Sequence, residues 1–125
     1  MSKIVLITAK APKAIGPYSQ AVEKNGFVFV SGQIPADAAG QPVAGDIKIQ
    51  AEAAIKNIEA ILGAAGLDLS HVVKTTVYMK NLQDFPAMNE VYARFFKEPY
   101  PARATIEVSN LPKGAAIEIE ALAVR

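Results

Sequence analysis

Pro101-Ala102-Arg103-Ala104-Thr105-Ile106-Glu107-Val108 and, after Asn110-Leu111-Pro112-Lys113-Gly114, the segment Ala115-Ala116-Ile117-Glu118-Ile119-Glu120-Ala121 decide how this chain is read. Both segments alternate apolar and polar residues with period two, as strands do, and the residues between them are of the kinds that reverse a chain. The pair reads as a β-hairpin. If Ala102, Ala104, Ile106 and Val108 share a face with Ala115, Ile117, Ile119 and Ala121, strict alternation puts Arg103, Thr105 and Glu107 on the other, beside Glu118 and Glu120. Such a patch has two readings. One is a cross-strand ion pair on a solvated face, worth under about 1 kcal/mol. In the other, the planar guanidinium holds a ligand carboxylate while a glutamate moves protons.

Composition bounds the rest. With 125 residues, 51% hydrophobic and 20% charged, the chain suits one domain with one core and is not a disordered protein. Its 13 basic residues against 12 acidic ones, with no basic run, leave no electrostatic footprint for nucleic acid or anionic lipid. The absence of cysteine excludes disulfides, thiol nucleophiles and cysteine metal sites. No apolar stretch approaches the roughly 18 residues of a membrane span, and the run Ile4 to Ile7 is too short for a secretory signal, so a cytosolic location is expected.

Outward from the hairpin, Ile4 to Ile7 reads as a strand, and Ala11 to Pro17 as a loop fixed by two prolines and a glycine. Asn25-Gly26 is a strong hairpin signal leading into Phe27-Val28-Phe29-Val30-Ser31-Gly32-Gln33-Ile34. This strand is apolar on both faces from Phe27 to Val30, which marks it as covered on both sides. It ends at Ser31-Gly32, where a glycine either forms a bulge or lets a ligand approach backbone N–H groups. Asp46 is a candidate N-cap for a helix carrying Ile47, Ala51, Ala54, Ile55, Ile58, Ile61, Leu62 and Ala65 on one face as far as Gly66. Lys48, Glu52, Lys56 and Glu59 form its solvated side. Val72 to Met79 is rich in β-branched residues and makes another strand, with His71 in a surface or capping role at its entrance. Asn81 or Asp84 caps a second helix that has Pro86 in its first turn, Phe85, Met88, Val91, Tyr92, Phe95 and Phe96 as a core stripe, and Pro99 as its stop.

This order predicts an α+β fold, a mixed sheet of about six strands with two helices packed on one face. Two helices cover only one face of such a sheet, yet the strands are too apolar for water on the other. A second copy of the chain is the expected cover, hence a homo-oligomer. At such an interface an unpaired charge is costly, which favours the ligand-binding reading of Arg103 and Glu118.

Residues 101–111 with Ile117-Glu118-Ile119 resemble the C-terminal signature of the Rid, or YjgF-like, imine deaminase family. Ile15-Gly16-Pro17-Tyr18-Ser19-Gln20-Ala21, Val30-Ser31-Gly32-Gln33-Ile34 and Met88-Asn89-Glu90-Val91-Tyr92 match it in family order over essentially the whole chain, closest to the RidA branch. The resemblance implies a chorismate-mutase-like homotrimer with a pocket at each subunit interface, and no cofactor. It implies hydrolysis of 2-imino acids to 2-keto acids and ammonia, the substrates arising from enamines such as 2-aminoacrylate and 2-aminocrotonate that pyridoxal-phosphate-dependent dehydratases release. Arg103 would clamp the substrate carboxylate with the Gly32 N–H in support, Glu118 and Tyr18 would hold and polarise water, and Ser31 and Asn89 would shape the pocket. Many relatives carry a cysteine where this chain has Thr105, a pocket position; the change removes any thiol role and leaves the water mechanism intact. A non-catalytic trimer that binds 2-keto acids would share the clamp. The ribonucleolytic or translation-inhibiting activity also associated with the family would call for a basic stripe or stacking aromatics, and the sequence has neither.

Overall fold

The computed structural model describes residues 2–125. Its strands are β1 (Ile4–Leu6), β2 (Ala21–Lys24), β3 (Phe27–Gln33), β4 (Val72–Met79), β5 (Ala102–Glu107) and β6 (Ile117–Val124). They form one mixed sheet in the order β1-β2-β3-β6-β4-β5. Helix α1 (Ile47–Gly63) connects β3 to β4, and helix α2 (Phe85–Phe95) connects β4 to β5. The α+β expectation of six strands and two helices is met.

Local chemistry explains most of the elements. Asn25 and Gly26 both take positive φ, 54° and 81°, the backbone that a tight two-residue hairpin needs, and β2 pairs with β3 across them. Asp46 caps α1, its Oδ1 accepting from the Ile49 N–H at 3.0 Å. The helix stops at Gly63 rather than Gly66; Gly66, at φ 73°, instead turns the chain away. His71 does cap: the Asp68 N–H donates to its Nδ1 at 3.2 Å. Asn81 caps the 3-10 turn Leu82–Asp84 that leads into α2, accepting from the Gln83 N–H at 2.9 Å, while Asp84, at the N-cap of α2, makes no side-chain capping bond. The polar side of α1 is more than a solvated face, because Lys48 reaches Glu90 at 2.5 Å and Glu52 reaches Arg94 at 3.8 Å across the helix pair.

The central expectation, a hairpin of β5 with β6, is wrong. Strand β4 lies between them, parallel to β5 and antiparallel to β6. Alternation encodes which face a side chain takes, not which strand lies next door, and the connection 108–116 is long enough to step over a strand. The faces change accordingly. Arg103, Thr105 and Glu107 align with Thr75, Val77 and Met79, on the helix-covered side, whereas Ala102, Ala104 and Ile106 share the open side with Glu118 and Glu120. Glu107 is used locally, its Oε1 accepting from the Leu82 N–H at 3.0 Å.

Both helices pack on one face. There Val28, Val30, Val77, Met79, Ile117 and Ile119 meet Ile55, Ile58, Ile61, Leu62, Met88 and Val91. The other face has no cover within the chain, and Phe27, Phe29 and Ile106 remain 43%, 48% and 47% exposed on it. Phe27 to Val30 is therefore enclosed on one side only in the isolated chain. Among the described residues, no helix is long and apolar enough to cross a membrane.

A buried amide ties a loop to this frame. The Asn57 Nδ2 of α1 donates to the carbonyls of Ile34 at 3.3 Å and Ala36 at 2.9 Å, holding the segment that follows β3. Asn57→Leu would leave both carbonyls without that donor, and buried unpaired groups cost about 1–3 kcal/mol. Urea unfolding at fixed protein concentration is expected to show a loss of that size with an unchanged m-value.

Candidate functional site

The expected site residues divide into two groups. Asn89, Tyr92, Ala93, Tyr100, Pro101 and Arg103 line a cavity of about 440 Å³ between α2 and the start of β5. Tyr18, Gly32 and Glu118 line another, of about 340 Å³, together with Ile15, Ile34 and Lys113. Since Arg103 and Glu118 stand on opposite faces of the sheet, the single patch expected from a hairpin does not exist within one chain.

In the first cavity the guanidinium lies over two rings of α2, its Cζ 4.6 Å from the Tyr92 centroid and 5.3 Å from that of Phe85. Arg103 makes no ion pair among the described residues. Asn89, half-buried beside it, adds an amide to the same wall. Thr105 lines neither cavity; its Oγ1 is buried without a hydrogen-bond partner among the described residues.

The second cavity is built by a bulge. Between Val30 and Gln33 the pairing of β3 with β6 shifts register, so Ser31 and Gly32 together face Glu120. The bulge reading of this glycine holds, and the space left by its missing side chain is taken by a side chain of the same chain. A Cβ at position 32 would stand 2.8 Å from Glu118 Cδ and 3.2 Å from Cγ, so the carboxylate packs here only because residue 32 has no side chain. Ser31 has its hydroxyl committed, donating to the Ser19 carbonyl at 2.5 Å, and it lines an adjoining recess with Tyr18.

Tyr18 enters from a turn in which Gly16 takes φ 117° and the Tyr18 N–H donates to the Gly16 carbonyl at 2.9 Å. Buried Gln20 anchors the preceding loop, accepting from the Thr8 N–H at 2.8 Å and donating to the Pro12 carbonyl at 2.8 Å. On the opposite rim, the Lys113 Nζ donates to the Gly40 carbonyl at 2.9 Å.

Burial raises the Glu118 carboxyl above its ordinary value, and the like charge of Glu120 raises it further. Tyr78, opposite Glu118 on β4, is raised by burial and then by Glu120. A half-buried carboxylate held more basic than usual, next to a phenol, can exchange protons with a water or a ligand.

Sequence reasoning missed Tyr92 as a site residue by assigning it to the core stripe. The available signal was its hydroxyl, the only polar group in that stripe, because a buried tyrosine needs a partner. The partner is Thr75, whose Oγ1 lies 2.7 Å from Tyr92 Oη.

Residues 8–125 match the family described as Endoribonuclease L-PSP. A RutC family protein of Pyrococcus abyssi is 56% identical over 100% of this chain and 99% of its own. The 2-iminobutanoate/2-iminopropanoate deaminase of Homo sapiens is 51% identical over 97% of this chain and 89% of its own length. Among solved structures, E. coli TdcF with bound serine superposes with a TM-score of 0.91 at 45% identity, covering 97% of this chain and 98% of that one. Matched from residue 8 to its last residue, and half identical to relatives along almost its whole length, the chain belongs to the Endoribonuclease L-PSP family, the YjgF or Rid proteins.

Proposed function

We propose that the protein hydrolyses small 2-imino acids to 2-keto acids and ammonia, at sites completed where two copies of the chain meet. The observation that carries this reading is the separation of Arg103, unpaired in one cavity, from the basic carboxylate Glu118 in another on the opposite face. The two are complementary halves of a site for a carboxylate-bearing electrophile. Joining them requires unlike surfaces of two copies to meet, a heterologous contact that closes as a ring. A homotrimer is the assembly proposed, with the apolar open face turned inward. The human deaminase relative and the serine-bound TdcF structure support the chemistry and the class of ligand.

Arg103 holds the substrate carboxylate in a bidentate pair, with the Gly32 N–H in support, and fixes the imine carbon. Asn89 borders the clamp, and Ser31 keeps the bulge that aims Gly32. Glu118, aided by the Tyr18 hydroxyl, takes a proton from water as the oxygen bonds to that carbon and the C=N electron pair moves to nitrogen, which then takes that proton from Glu118. Glu118 then takes the hydroxyl proton of the resulting carbinolamine as the C–N bond breaks and passes it to the departing ammonia. Every proton is accounted for by water and the carboxylate, so this scheme routes no step through a cofactor. Enamines released by pyridoxal-phosphate-dependent dehydratases are the proposed source of substrate.

Phosphate-backbone binding needs a clustered excess of cations, whereas the 13 basic residues stand against 12 acidic ones with no basic run. The name of the family is therefore not the reading adopted for its activity.

The test generates 2-aminocrotonate in situ with a threonine dehydratase and follows 2-oxobutanoate release. Wild type is expected to accelerate release, and Arg103→Ala to lose about 10²-fold or more of that rate through lost positioning. Glu118→Gln is expected to lose about 10²–10⁴-fold while still binding 2-oxobutanoate. Binding by wild type without any acceleration would replace the enzyme with a keto-acid sensor.

Co-assembling the two inactive variants tests the shared site. Random mixing in equal amounts leaves both functional halves at about one quarter of the interfaces, so up to that fraction of wild-type activity should return. No recovery after verified subunit exchange would place Arg103 and Glu118 outside a common site.

A third expectation concerns pH. Glu120→Gln removes a like charge that raises Glu118, so the acid limb of the kcat/KM profile should move to lower pH. A shift to higher pH would contradict this role for Glu118.

A further inference from the structure

Arg103 poses a physical problem. It lies on β5, an edge strand, and its long side chain would ordinarily be held by a carboxylate. Arg125 shows that alternative in the same chain: its Nε and Nη2 donate to Glu23 at 2.6 and 3.0 Å, and Nη2 also donates to the Ala65 carbonyl at 2.8 Å. Those donors are committed to structure. Arg103 has no such partner among the described residues, yet lies over the rings of Tyr92 and Phe85. An aromatic face attracts a cation through its quadrupole and offers no lone pair, so it holds the guanidinium without satisfying its N–H groups.

The nearer ring is itself fixed. Tyr92 is 5% exposed, and its hydroxyl shares a hydrogen bond with Thr75, a fully buried residue of β4 that stands in register with Arg103. Phe96 stacks against Tyr92 with centroids 4.3 Å apart. Thr75, Tyr92 and Arg103 thus close a small loop from β4 through α2 back to β5. The crossover helix carries the ring that orients the cation, and the neighbouring strand fixes that ring.

We infer that Tyr92, locked by Thr75, is the positioning residue that orients the Arg103 guanidinium and leaves its donors free for a ligand carboxylate. This rests on the proposed function for the identity of the ligand, but the orientation itself does not depend on it. A tyrosine that only filled the core would affect stability and leave the affinity of the folded protein unchanged.

The experiment measures binding of 2-oxobutanoate by calorimetry, kcat and KM for imine hydrolysis, and the NMR order parameter of the Arg103 Nε–H group. It compares wild type with Tyr92→Leu and Tyr92→Phe. Tyr92→Leu is expected to weaken binding and raise KM about five- to thirty-fold, the range for loss of a desolvated cation–π contact, with kcat at saturation changed much less. Tyr92→Phe, which keeps the ring, should recover most of that affinity. The Nε–H order parameter should be high in wild type and fall below about 0.6 in Tyr92→Leu.

A folded Tyr92→Leu protein that binds as wild type does would overturn the inference. If that variant does not fold, Phe85→Leu at the half-buried rim decides, with binding about two- to fivefold weaker expected and unchanged binding overturning it. Should wild type neither bind keto acids nor hydrolyse imines, the proposed function fails alone. The NMR measurement still judges the platform, which a disordered Arg103 in wild type would refute.

Discussion

Side chains alternate across a pleated sheet, so each residue of a strand is committed to one face by its position, and two helices can bury only one of those faces. That constraint governs this protein. It sends Ile117, Ile119, Ala121 and Ala123 into the core and Glu118, Glu120 and Leu122 to the open side. It also sends Arg103 under α2 and Ile106 to the open side. An apolar surface left uncovered and the placing of Arg103 and Glu118 on opposite faces are two results of one geometric rule.

Charge is handled differently in the two halves. The Arg103 half presents a cation with no ion pair among the described residues, lying over two aromatic faces. The Glu118 half presents an anion made more basic by burial and by a neighbouring carboxylate. Each is mildly unfavourable in an isolated chain, since charge is being withdrawn from water without a partner. In the proposed shared site the ligand carboxylate would relieve the penalty at Arg103, and the neighbouring copy's guanidinium that at Glu118, so the proposed chemistry uses the features that are unfavourable in the isolated chain.

The sequence was legible wherever a local rule decides the outcome. Helix α1 follows from apolar spacing and the Asp46 cap, the β2–β3 hairpin from Asn25-Gly26, and the capping role of His71 from its position before a strand. Strand adjacency follows no such rule. The β5 and β6 segments alternate correctly, but the insertion of β4 between them is a long-range event that depends on which strand best fills the centre of the sheet. The error in pairing carried an error in facing, and so put Arg103 beside Glu118 within one chain. The residues themselves were identified from their chemistry and from family motifs, which do not depend on knowing who pairs with whom. Tyr92 was hidden for a third reason: an amphipathic stripe marks a residue as buried without saying what its hydroxyl or ring face does.

The close approach of Glu118 to Gly32 bears on how such sequences can diverge. The carboxylate lies in the volume that a Cβ at position 32 would need, so the two positions are coupled by excluded volume even though they lie far apart along the chain. While Glu118 stays in place, drift at position 32 is closed. A lineage that replaced the glutamate with a shorter residue would regain that space, and alanine or serine could then settle opposite it. The glycine serves as a historical marker: a descendant that has lost it has had to move or abandon the carboxylate, whatever the rest of its sequence retains.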